Sequence, residues 1–156
     1  MNTNLEELLK SDIDDLTALA THIQAEQRDA LLLGIAEALK LPVLSGRQKM
    51  IGFVQALAAY GEPLGGAITE SVAVPLIAAA HADDPAERLA ALRGLAVVTS
   101  KTQAVNSALT HSILKTFEQA RMDSSREIRA LANEILLAGN PVFRRLTAME
   151  ATSARR

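Results

Sequence analysis

Residues 83–95 read Asp83-Asp84-Pro85-Ala86-Glu87-Arg88-Leu89-Ala90-Ala91-Leu92-Arg93-Gly94-Leu95. An acid able to cap, a proline suited to the first turn and a Glu where the macrodipole favours it start a helix here. Apolar periodicity carries that helix to about residue 99. The preceding helix, about 67–81, contains Pro75-Leu76-Ile77. Pro75 removes one backbone hydrogen bond there and is expected to bend or split the helix. The local unit is therefore helix, acidic turn, helix.

The same order returns 39 to 40 residues later, as Leu114-Lys115, then Asp123, then Ile128-Arg129, Ala132 and Ile135-Leu136. A first helix carrying a proline, an Asp-containing turn and a second helix opening on an aliphatic–Arg pair resemble a HEAT repeat, of the armadillo-type helical-repeat family. The second segment follows that pattern more closely; the first has Arg88-Leu89 in reversed order. A weaker copy spans 26–60, with Ser45 in place of the Asp and Met50-Ile51 in place of the aliphatic–Arg pair. The resemblance implies an all-α, right-handed superhelix of stacked antiparallel hairpins. It gives Pro75, Asp83, Asp123, Ile128 and Ala132 structural places in the repeat. It further implies that Asp83 with Arg88, and Asp123 with Arg129, hydrogen-bond within or between adjacent repeats. Apart from the family, one helical hairpin cannot bury its own apolar face, whereas stacked hairpins share a continuous core.

Working outward, the punctuation divides the chain into about nine helices. Thr3 to Lys10 is a short opening turn, and Ser11-Asp12-Ile13-Asp14 starts a helix through Leu16, Leu19 and Ile23. A helix over 26–40 ends before Leu41-Pro42, Ser45 caps 46–60, and Gly61 closes it. Thr102 opens a helix to about 121, Asp123-Ser124-Ser125 caps the next, and Gly139-Asn140-Pro141 separates it from a last helix. The organisation expected is one domain over 1–156. Within it, 1–25 and 141–156 act as caps, 26–60 is a degenerate repeat, and 67–99 and 102–138 are HEAT-like repeats.

Composition agrees with helices throughout. The 156 residues include 28 Ala and 23 Leu against 8 Val and 9 Ile, a balance that favours helix over strand. The absence of Cys excludes disulfide and thiolate chemistry. No window of about 18 uncharged apolar residues is present to span a membrane. A start that turns acidic at once is unlike a secretory signal and points to the cytoplasm. Net charge is −2, yet residues 1–40 carry eight acids and three bases while residues 121–156 carry four acids and seven bases. The chain is thus a weak dipole along its length.

Chemistry-bearing motifs are sparse. His22, His81 and His111 are far apart and form no HExxH or His-x-His pattern, so neither a metal nor another cofactor is expected. Carboxylates such as Asp12, Asp14 and Asp15 sit where helix starts want acids. Gly61, Gly65 and Gly66 lack the Lys-Ser/Thr ending of a phosphate loop. No catalytic residue is assigned. The function expected is a non-enzymatic protein–protein interaction module, an adaptor or scaffold, that presents its second-helix surface through Arg88, Arg93, Arg126, Arg129 and Asn133. The alternative is nucleic-acid binding on a basic face of Arg88, Arg93, Arg126 and Arg129; the lack of Trp and the single Tyr60 leave little for base stacking. An enzyme would instead need two of His22, His81, His111 and Tyr60 to converge in a pocket. An open stack also leaves end faces that a second copy is able to cover, giving a homodimer.

Overall fold

The computed structural model describes residues 12–40, 46–102 and 107–154. Among these the chain forms eight helices and no strand. They are α1 Ile13–His22, α2 Ala25–Leu39, α3 Arg47–Ala59, α4 Gly66–Ala79, α5 Pro85–Lys101, α6 Ser107–Ala120, α7 Arg126–Ile135 and α8 Pro141–Ala154. The opening turn expected over residues 3–10 and the Ser45 cap lie outside the described residues.

Side chains at the turns explain where helices start. Asp84 precedes α5 and accepts the Ala86 N–H at 3.0 Å, with Pro85 in the first turn. Asn140 accepts the Val142 N–H at 2.9 Å before α8. Gly46 and Gly61 flank α3 at φ 79° and 87°, a left-handed backbone that a side chain would strain.

Two sequence expectations are corrected. Thr102 does not open α6; it terminates α5, and its hydroxyl pairs with that of Thr69 at 2.7 Å, both residues being buried. The other concerns one half of the Pro75 expectation: the helix is not split, since α4 is continuous from Gly66 to Ala79. Packing offsets the lost hydrogen bond: Pro75 is buried together with Val72, Ala73, Leu76 and Ala79 on the same helix.

The helices pack as two rows. One row runs α1, α3, α5, α7 and the other α2, α4, α6, with each helix touching the one two places further along. The rows are joined by α2 on α3, α4 on α5 and α6 on α7, while α8 packs on α6 and α5. One apolar cluster extends from Leu16 to Leu146, with Phe53, Leu57, Leu76 and Phe117 fully buried. Three helices converge at Gly94, where a Cβ would make ordinary contact, 3.5 Å from Leu76 of α4 and 3.7 Å from Ile51 of α3.

The connections form two edges. On the loop edge, the buried Arg28 donates to the Glu62 carbonyl, and the Leu64 N–H donates to the Lys101 carbonyl at 2.8 Å. On the turn edge lie the starts of α3, α5 and α7, with tight connections before α5 and α7.

Candidate interaction surface

Three arginines on the turn edge, Arg47, Arg88 and Arg129, are spaced exactly one 41-residue interval apart, each at the start of a helix of the odd row. Each one donates back to carbonyls at the end of the preceding helix or in the turn that follows it. Arg47 reaches the Leu39 carbonyl at 3.0 Å, Arg88 those of Ala82 and Asp83 at 2.9 Å each, and Arg129 those of Asp123 and Ser124 at 2.7 and 3.0 Å. The Leu39 carbonyl is an orphan acceptor of its helix end, whereas Ala82, Asp83, Asp123 and Ser124 are turn residues whose carbonyls the arginines satisfy.

Two of the three also reach forward. Arg47 pairs with Glu87 of α5 at 2.6 Å, and Arg88 closes both arms of its guanidinium fork on Asp123 at 2.9 Å each. Gln48 adds a bond to Asp84 at 3.0 Å. The Arg88 hydrogen bond holds the Asp123 carboxyl below the ordinary carboxylate range, helped by the Ser125 N–H that caps onto it at 2.8 Å. Arg88 is in turn pushed above its ordinary value by Asp123.

These contacts revise the sequence alignment. Asp83 with Arg88 and Asp123 with Arg129 do meet, but through the Asp backbone carbonyls; the carboxylate of Asp123 serves Arg88 of the preceding unit. The interval between equivalent contacts is 41 residues rather than 39 to 40. In the 26–60 segment the arginine of the pattern is Arg47, not a residue at Met50-Ile51, both of which are buried apolar positions.

Two clefts open beside the arginine pairs. One of about 550 Å³ is lined by Leu39, Lys40, Arg47, Pro75 and Ala79, with the exposed Val74 at its side. The other, about 330 Å³, is lined by Ala80, His81, Arg88, Thr116 and Ala120, the same positions displaced by 41 residues. His81 spans the second cleft, its Nδ1 at 2.9 Å from the Ile77 carbonyl and Nε2 at 3.0 Å from Gln119.

The residues singled out in the sequence are distributed as follows. Ile128 and Ala132 are buried on the inner stripe of α7, and Pro75 is buried in α4. Arg93 and Arg126 are exposed, Arg129 is half-buried, and Asn133 is exposed and accepts from Arg121 at 3.1 Å. The outer stripe of α5 carries Ala86, Arg93 and Ser100, whereas the corresponding positions of α7 carry Glu127 and Glu134. That face is therefore mixed in charge. All three histidines and Tyr60 are exposed, and no three His, Asp or Glu among the described residues are grouped to hold a metal ion. No helix among them is long and apolar enough to cross a membrane.

The sequence expectations give Arg47 and Arg28 no role and Glu87 only that of a helix-start acid. The 41-residue spacing of Arg47, Arg88 and Arg129 is the signal that finds the first. Neither the known family models nor the curated proteins contain a match to this chain.

Proposed function

We propose that the chain is a HEAT-like helical-repeat module that binds a protein partner on the outer face of α3, α5 and α7, with no catalytic role. The observation that carries this reading is the arginine row. Half-buried arginines at a fixed interval, two of them tying one unit to the next, favour a rigid, regularly repeated surface, the kind on which recognition by many small contacts is built. Arg93, Arg126 and Asn133 project from that surface and are the contact residues of the proposal. Arg88 and Arg129 act first as braces.

The mixed charge of the face favours a protein over a nucleic acid. A polyanion needs several cations in register, and here Glu127 and Glu134 stand where α5 has Ala86 and Arg93, while Arg88 is matched by Asp123. The test compares the wild type with Arg93→Glu and Arg126→Glu in affinity capture, alongside anisotropy of a labelled DNA duplex across a salt series. Capture that depends on Arg93 or Arg126, with no duplex binding, supports the proposal. Duplex binding that collapses with rising salt and is lost in the same variants would replace it by the nucleic-acid reading.

A further inference from the structure

We propose that the protein self-associates head to tail, the α7 end of one copy meeting the α1 end of the next. Two independent features lead there. The first is the unfinished arginine row. Arg47 and Arg88 each hold a carboxylate of the following unit, Glu87 and Asp123. Arg129 makes the same backward bonds to carbonyls through Nη1, but no described carboxylate meets its Nε and Nη2. Among the described residues Arg129 thus lacks the forward carboxylate that its two predecessors have.

The second feature is where the charge asymmetry falls in space. Among the described residues, six acids against two bases in 12–40, and four against five in 121–154, fall at opposite ends of the rows once the helices stack. The start of α1 carries exposed Asp12, Asp14 and Asp15 with no base within the helix except His22 at its far end. The start of α7 carries Arg126 and Arg129, with Glu127 between them, and exposed Arg121 and Arg144 lie on the neighbouring elements.

Both starts lie on one edge. Contacts of Arg47 with Glu87 and Arg88 with Asp123 align the starts of α3, α5 and α7 along the turn edge. The link from α1 to α2 is only Ile23 and Gln24, and the first turn of α2 places Arg28 on the loop edge beside Glu62. The α1 helix therefore also starts on the turn edge. A second copy continuing the odd row brings its Asp14 and Asp15 to the open forks of Arg126 and Arg129. Such a contact is heterologous, joining different patches on the two copies, and so propagates rather than closing at two.

This inference rests on the repeat-module reading but fails separately from it, because the measurement uses the purified chain alone. Sedimentation velocity over a concentration series, at about 20 mM and about 500 mM salt, brackets screening lengths of about 20 Å and about 4 Å. The expected result is a weight-average mass that grows with concentration at low salt and falls to one copy at high salt. Arg126→Glu, an exposed change, weakens association about tenfold or more, as does Asp14→Lys with Asp15→Lys. Mixing the two variants restores growth, because each supplies the charge that the other now needs. A wild type that stays at one copy at low salt, a mass fixed at two copies, or variants that associate like the wild type and gain nothing on mixing would overturn the proposal. Circular dichroism of each variant confirms that the helices are retained.

Discussion

Arg47 and Arg88 make the same pair of contacts one interval apart: each takes a carbonyl at or just past the end of the helix before it and a carboxylate from the unit after it. Each arginine thereby joins its own helix to two other pieces of chain, one behind it and one ahead. A guanidinium suits this because its donors point in fixed, divergent directions, which a lysine ammonium on its flexible stem does not offer.

That relationship predicts strong coupling at the first pair. In urea unfolding, Arg47→Ala and Glu87→Ala should each destabilise, and the double variant should cost less than the two singles together by about 1 kcal/mol. Strict additivity would show that the 2.6 Å contact does not couple the units.

Asp123 predicts an acid limb in the stability curve. Its native pKa lies below the unfolded value near 3.8, so the unfolded chain binds the proton more readily. The stabilisation is complete above that value and drains away as pH falls below it toward the native pKa. Asp123→Asn, followed by thermal melts from neutral pH downward, should be less stable than wild type at neutral pH, and the gap should narrow below about pH 4. A constant gap at every pH would rule out the carboxylate as the group responsible.

Two glycines should respond in opposite directions to alanine. The neighbours of Gly94 stand at ordinary contact distance from a new Cβ, so Gly94→Ala should gain about 0.5–1 kcal/mol from helix propensity and reduced chain entropy. Gly61 has φ 87° and would bring its Cβ to 3.4 Å from the Arg28 guanidinium, so Gly61→Ala should lose about 1 kcal/mol. Denaturant midpoints of the two variants settle both signs.

Arg28 should control the loop edge. Arg28→Met keeps the aliphatic stem but removes the donors to Asp29 and Glu62. Hydrogen exchange of the Leu64 amide, bonded to the Lys101 carbonyl, should accelerate about tenfold, with little change at the Ala73 amide in α4. Equal acceleration at both amides would mean global destabilisation instead.

Features decided by one residue and its neighbours were legible in the sequence. Asp84-Pro85 starts α5 because the cap and the missing proline N–H act locally, and Gly61 follows α3 because only its backbone tolerates the turn. The all-helical class followed from the Ala and Leu excess. The role of Arg47 was hidden because its partners lie eight residues back and forty ahead, a pattern that no local window contains. Aligning Asp83 with Asp123 misled for a related reason. Equivalent hydrogen bonds match Asp123 with Ala82, so the aspartate answers to the preceding unit rather than to its own. Thr102 looked like a helix start because threonine caps well, yet its hydroxyl is taken by Thr69 across the rows.

The packing of α8 on α5 and α6 has a mechanical meaning for α7. That ten-residue helix is held by one narrow stripe of Ile128, Ala132 and Ile135, and the segments on either side of it are each anchored elsewhere, α6 in the even row and α8 against α5. It works as a tie rod between them: its two ends are set by α6 and α8, so Arg126 and Arg129 stand where those neighbours hold the chain.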